Sequence, residues 1–151
     1  MHVSVDNHAA ILTEIQSILA GLLAETGASR VTLRRDAPGQ LFPVTHEVLA
    51  PGVSSIRGVE TPNMSRQPVV LEVTQGRQVV QEDCVRAFED PGFQRMLELY
   101  GGMRAQIVTP VVEEGKVVAI VSLHQLGTTR VWSEGEIAAC REAAGRVREL
   151  L

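Results

Sequence analysis

The stretch Met103 to Leu126, MRAQIVTPVVEEGKVVAIVSLHQL, constrains the fold more than any other part of the chain. Two apolar runs, Ala105–Val112 and Val117–Leu123, are separated by Glu113-Glu114-Gly115-Lys116. Val and Ile fill both runs, as suits strands, and Gly115 supplies the positive φ of a tight reversal. A strand with one wet face alternates polar and apolar residues, whereas runs this apolar belong to strands covered on both faces. The spacing therefore predicts a central β-hairpin inside a two-sided core. With Glu114-Gly115 as the turn centre, Val112 opposes Val117, Thr109 opposes Ile120, Ile107 opposes Ser122 and Ala105 opposes His124. That register puts Ala105, Ile107, Thr109, Ile120, Ser122 and His124 on one face. It puts Arg104, Gln106, Val108, Ala119, Val121 and Leu123 on the other. The partition depends on the loop, because a slip of one residue turns a strand over. Ala119 is small enough for close helix packing, so its face is assigned to helices.

The chain has 151 residues, the size of one ordinary domain, and is read as a single unit over 1–151. Hydrophobic residues make up 44% and charged residues 21%, which is globular rather than disordered composition. A formal charge of −4 with no basic run argues against nucleic acid as a partner. The start, MHVSVDNHAAIL, lacks a basic n-region, and no run is read as approaching membrane-span length. The expectation is a cytoplasmic chain with no membrane partner. Cys84 and Cys140 form no C-x-x-C pattern and suggest no disulfide framework.

Asp6 or Asn7 can cap a first helix, about residues 6–26, that Gly27 ends. Its stripe of Ile11, Ile15, Ile18 and Leu22 is widened by Leu12, Leu19 and Leu23. That is wide for a helix covering one sheet, so part of it is available to a partner subunit. Arg30–Asp36 alternates, with Val31 and Leu33 on one face and Thr32 and Arg34 on the other. Val44–Ala50 follows as its hairpin partner, and Arg35 and Glu47 are expected to face water. Gly52–Arg66 resists placement. Gln67–Gln75 has strand-like composition, yet Pro68 suits a first helical position, and a short helix is expected. Gln78–Gln81 reads as a short strand, and Asp90-Pro91 as the start of a helix that Gly101-Gly102 ends. A last helix, about 133–151, opens with the capping box Ser133-x-x-Glu136, and Cys140 lies in its small-residue seam as a buried hydrophobe.

The succession of these motifs resembles the GAF domain, a small-molecule sensing module. Matching residues are Gly76-Arg77-x-Val79-Val80 followed by Asp83, then Asp90-Pro91-Gly92-Phe93 and Tyr100-Gly101. Thr109-Pro110-Val111 is similar to the family's V-P-L, and Gly115 with Val118-Ala119-Ile120-Val121 to its G-x-x-x-G-V-L hairpin. Arg130-Val131-Trp132-Ser133 resembles the closing loop. The resemblance implies an α+β fold with a mostly antiparallel sheet of five or six strands. First and last helices would share one face, and loops and short helices would roof a ligand pocket on the other. It also implies that the first strand stands beside the second strand of the central hairpin.

Together these place Thr32, Arg34, Ser122 and His124 as convergent polar groups, with Ile107, Thr109, Phe93 and Tyr100 completing a candidate ligand site. Arg34 suits a carboxylate. The competing reading is that Arg34 is solvated and His124 is a core or edge histidine satisfied by the protein itself. His2, His8, His46 and His124 are scattered and form no metal motif, and neither G-x-S-x-G nor a P-loop occurs. The cysteine set of free methionine-R-sulfoxide reductases, the Cys-His pair of bilin-carrying relatives and the N-K-x-F-D-E signature of cyclic-nucleotide binders are missing. The reading is a non-catalytic sensor of a small metabolite, an anion among the candidates. It would pair through its terminal helices as a homodimer and signal to a partner in trans; the sequence leaves any cofactor open. The alternatives are a small redox enzyme using Cys84 and a purely structural dimerisation module.

Overall fold

The computed structural model describes the backbone of residues 5–151 and side chains from residue 7 onward. In chain order the elements are α1 (Val5–Thr26), β1 (Arg30–Arg35), β2 (Val44–Leu49), α2 (Pro68–Val73), β3 (Val79–Gln81) and α3 (Cys84–Ala87). Then come α4 (Pro91–Leu99), β4 (Met103–Glu113), β5 (Lys116–Leu126) and α5 (Glu134–Leu150). One sheet runs β2-β1-β5-β4-β3, and every neighbouring pair is antiparallel. β1 stands beside β5, as expected. α1 is already helical at Val5, so Asp6 and Asn7 lie inside the helix and neither is the cap expected there.

The sheet divides two cores. On one face α1 and α5 bring Ile15, Leu19, Leu22, Cys140, Ala144 and Val147 against Val31, Leu33, Ala105, Ile107, Ala119, Val121 and Leu123. On the other, Phe42, Val69, Val73, Phe93, Met96 and Tyr100 cover Val108 and Ile120. Each fully buried aliphatic or aromatic side chain contributes about 1.5–3 kcal/mol, so both faces share in holding the hairpin. The capping box starts α5: Ser133 Oγ accepts from Glu136 N at 3.0 Å, and Glu136 Oε1 accepts from Ser133 N at 3.0 Å.

Two expectations about exposure need correcting. Asn7–Thr26 has a mean hydropathy of 1.3, enough by length and composition alone for a membrane-crossing helix, so the expectation of no such run does not hold. Ile15, Ile18, Leu19 and Leu22 pack into the core, while Leu12, Thr13, Gln16, Ser17, Ala20 and Ala24 face outward. Glu47 does not simply face water: its Oε2 accepts from Ile56 N at 2.9 Å and ties the irregular 51–66 segment to the sheet. On the outer edge of β2, Arg57 Nη2 donates to Thr45 O and Gln16 Nε2 to Glu47 O, both at 3.1 Å. These side chains occupy carbonyls that a bare edge would offer to another strand.

The hairpin register carries the main correction. Glu114 (φ 51°) and Gly115 (φ 77°) form a two-residue turn, and Glu113 opposes Lys116 and Val112 opposes Val117, as expected. The next pair is Val111 with Ala119, so Val118 is an extra residue on β5, a β-bulge. Beyond it Thr109 opposes Val121, Val108 opposes Ser122, Ile107 opposes Leu123 and Gln106 opposes His124. β5 keeps its expected faces, with Ala119 toward the helices. β4 is turned over. Ile107 and Thr109 therefore face the helix layer, where Thr109 Oγ1 accepts from Gln78 Nε2 at 3.1 Å. Gln106 and Val108 take their place on the opposite face.

Candidate functional site

The face away from the terminal helices encloses a cavity of about 50 Å³. Its floor is Arg34 on β1, Gln106 and Val108 on β4, and Ile120, Ser122 and His124 on β5. Its roof is Met64, Gln67, Val69, Val70 and Val73 around α2, with Met96 and Tyr100 from α4. α4 delivers Tyr100 because Asp90 Oδ2 caps it, accepting from Phe93 N at 2.8 Å, and because Gly101 and Gly102, both at positive φ, turn the chain into β4.

The polar heart of this face is a cluster around the Tyr100 ring. The ring stacks on His124 at 5.9 Å, with the guanidinium groups of Arg30 and Arg34 at 5.8 and 5.9 Å from its centroid. Arg30, 0% exposed, donates from Nε to His124 Nδ1 at 3.0 Å, from Nη2 to Tyr100 O at 2.8 Å and from Nη1 to Ser54 O at 3.1 Å. Burial pulls its pKa down to about 10, partly opposed by Glu47 and Tyr100. Arg34 donates from Nη1 to Phe42 O at 2.9 Å and from Nη2 to Tyr100 Oη at 2.7 Å, and Thr61 Oγ1 closes on the same phenol. All these acceptors are neutral, and among the described residues neither arginine has an ion-pair partner.

His124 is held neutral. Burial, then Arg30 and Arg34, push its pKa well below the usual imidazole value. Since Nδ1 accepts from Arg30, the ring proton sits on Nε2. Thr32 is paired with Ser122 across the β1–β5 ladder, and its buried Oγ1 has no partner. A second, open groove of about 800 Å³ adjoins the cavity, sharing Arg34 and Met64 and bounded by residues 56–63. Arg34 thus stands between the buried space and the outside.

Of the eight residues singled out from sequence, Arg34, Tyr100, Ser122 and His124 meet at the cavity, and Thr32 lies in the strand beneath. Ile107 and Thr109 do not, for the register reason above. Nor does Phe93: it packs edge-on against Phe88 at 5.2 Å in the roof's own core. Arg30, Gln67 and Gln106 were missed. Arg30 shares the two-residue period of Thr32 and Arg34, and that parity was the available signal. Cys84 is 0% exposed and burial pushes its thiol up to about 12; Cys140 is likewise buried and raised to about 12. Among the described residues no cluster of three or more His, Cys, Asp or Glu is placed to hold a metal ion, and His2 lies outside them.

A GAF domain model matches residues 11–149. The chain belongs to the GAF domain family. Solved structures of similar fold include the blue-light-absorbing form of the Thermosynechococcus elongatus PixJ GAF domain, at 20% identity and TM-score 0.78 over 99% of this chain and 91% of that one. GAF3 from Slr1393 of Synechocystis sp. PCC6803, in its photoproduct state, matches at 16% identity and TM-score 0.75 over 91% and 90%. The far-red-absorbing dark state of JSC1_58120g3, with bound biliverdin IXa, matches at 16% and 0.74 over 94% and 95%. No curated protein sequence matches the chain.

Proposed function

We propose that the chain is a non-catalytic sensory GAF domain that binds a compact anion in the cavity beneath α2 and α4. The observation that carries this is the convergence of Arg30 and Arg34 on Tyr100 with only neutral acceptors around them. Arg30 is spent on the protein. Arg34 uses two of roughly five N–H donors and stands at the cavity edge, free to add a charge-assisted pair to a ligand. The neutral His124 adds an Nε2–H, so the floor offers donors where an anion needs them.

Biliverdin, bound by JSC1_58120g3, does not fit this site. A cavity of about 50 Å³ holds a few non-hydrogen atoms, far from a tetrapyrrole, and neither thiol lines it. The same buried, protonated Cys84 speaks against a thiol redox catalyst. The expected result for the anion is a rise in melting temperature with millimolar formate, acetate or nitrate, relative to chloride at equal ionic strength. Arg34→Met should weaken that response about tenfold or more, since one charge-assisted hydrogen bond is at stake. If no monoanion shifts the native protein, the reading fails.

Output is proposed to pass through a homodimer joined by the terminal helices. Support comes from the outward face of α1, where Leu12 is 37% exposed beside Thr13, Gln16, Ser17 and Ala20, a surface without charge. Sedimentation velocity should show a dimer for the native chain and a monomer for Ala20→Glu; a native monomer at tens of micromolar overturns this part.

A further inference from the structure

The cavity wall contains a hydrogen-bond acceptor that the protein itself leaves unused. Gln67 is 1% exposed, and its Nε2 donates to Pro62 O at 2.7 Å. Because a carbonyl can only accept, this bond fixes the amide's orientation, and Oε1 is buried with no partner. The start of α4 comes close to the same group: a Cβ at Gly92 would lie 3.2 Å from Asn63 Nδ2 and Asp90 Oδ2 and 3.7 Å from Gln67 Nε2, so only glycine leaves this space open. An orphaned buried amide oxygen is costly; Gln78 Oε1 is another, but Gln67 is the one whose residue lines the cavity, where a group from outside the chain can reach it.

The opposite wall is of the other kind. Arg34, Ser122 and His124 offer N–H and O–H groups, so the cavity has a donor side and, at Gln67, an acceptor. Val69, Val73 and Met96 lie between as apolar cover. Resting on the anion reading above, we infer that the ligand is a short carboxylate that also carries its own hydrogen-bond donor. The carboxylate lies toward Arg34 and His124, and the donor reaches Gln67 Oε1. Two guanidinium groups within 6 Å of the Tyr100 ring centre disfavour a second cation, so the donor is a neutral hydroxyl rather than an ammonium. A cavity of about 50 Å³ suits a small ligand body. The class is a small hydroxy acid.

Titration calorimetry on the native chain with two matched pairs, glycolate against acetate and lactate against propionate, tests this. Each pair differs at the carbon next to the carboxylate by one hydroxyl. The hydroxy acid should bind at least tenfold tighter in each pair. Gln67→Met, which keeps bulk and removes the acceptor along with the donor to Pro62 O, should bring the two members of each pair within twofold of each other. A side-chain amide NMR shift of Gln67 on adding glycolate, and none on adding acetate, gives the same answer in the native chain should the variant not fold. Equal affinities for acetate and glycolate overturn this inference and leave the anion reading standing. Binding of neither acid overturns both.

Discussion

Arg30→Ala is expected to cost about 3 kcal/mol of folding stability, seen as a fall of about 6–12 °C in melting temperature. The guanidinium is wholly buried and satisfies three acceptors at once: His124 Nδ1, Ser54 O and Tyr100 O. Truncation leaves all three without a donor and opens a void between β1, β5 and the end of α4. Against this stands the relief of burying a cation that no carboxylate contacts, which is why the net figure is smaller than three separate orphaned groups would suggest. Arg30→Met separates the two contributions. It restores most of the volume but none of the hydrogen bonds, and should recover about half of the loss. If Arg30→Met is as stable as the native chain in urea denaturation, the cluster is held by packing alone. The polar account of the site would then be wrong.

The same residue shows where the sequence could be read and where it could not. Strand β1 alternates in sequence, so Val31 and Leu33 fall to the helix face and Thr32 and Arg34 to the other from the alternation alone. Arg30 has the same parity, but a charged residue at a strand end ordinarily reaches water, and only the tertiary neighbours Tyr100 and Ser54 make it a core residue. The helices that announce themselves by local chemistry, α4 behind Asp90-Pro91 and α5 behind its capping box, were legible for the same reason: their signals are complete within a few residues.

The bulge at Val118 was not legible. Lys116-Val117-Val118-Ala119-Ile120-Val121 is apolar on both faces, so nothing in the alternation records that one residue is extra. The opposing run has two polar markers, Gln106 and Thr109, which fall on opposite faces; only the pairing of Gln106 with His124 would have placed β4 correctly. Gln67 lies deeper still. Its buried amide depends on Pro62, Gly92 and the cavity together, none of which is adjacent to it in sequence.

Between pH 7 and pH 5 the domain is expected to lose stability through His124. Its pKa in the folded state lies well below the ordinary value near 6.5, because of burial and the charges of Arg30 and Arg34. The unfolded chain takes up the proton below about pH 6.5 and the folded chain does not. Stability is therefore fully present above that pH and declines as pH falls, by at most about 1.4 kcal/mol per pH unit for one group. The geometry gives the same sign. A proton on Nδ1 would set a ring N–H against the Nε–H of Arg30, donor against donor, with no room to turn away beneath the Tyr100 ring. His46, lowered by burial and by Arg57 and Arg35, adds a smaller loss in the same direction. His124→Asn should remove the larger part of the slope while keeping an acceptor for Arg30, since Asn Oδ1 stands near the position of Nδ1. Urea unfolding at half-unit pH steps measures this. Native and His124→Asn curves that run parallel between pH 7 and pH 5 would mean that His124 takes up its proton in the folded domain over the same range as in the unfolded chain, and the lowered pKa assigned to the buried ring would be wrong.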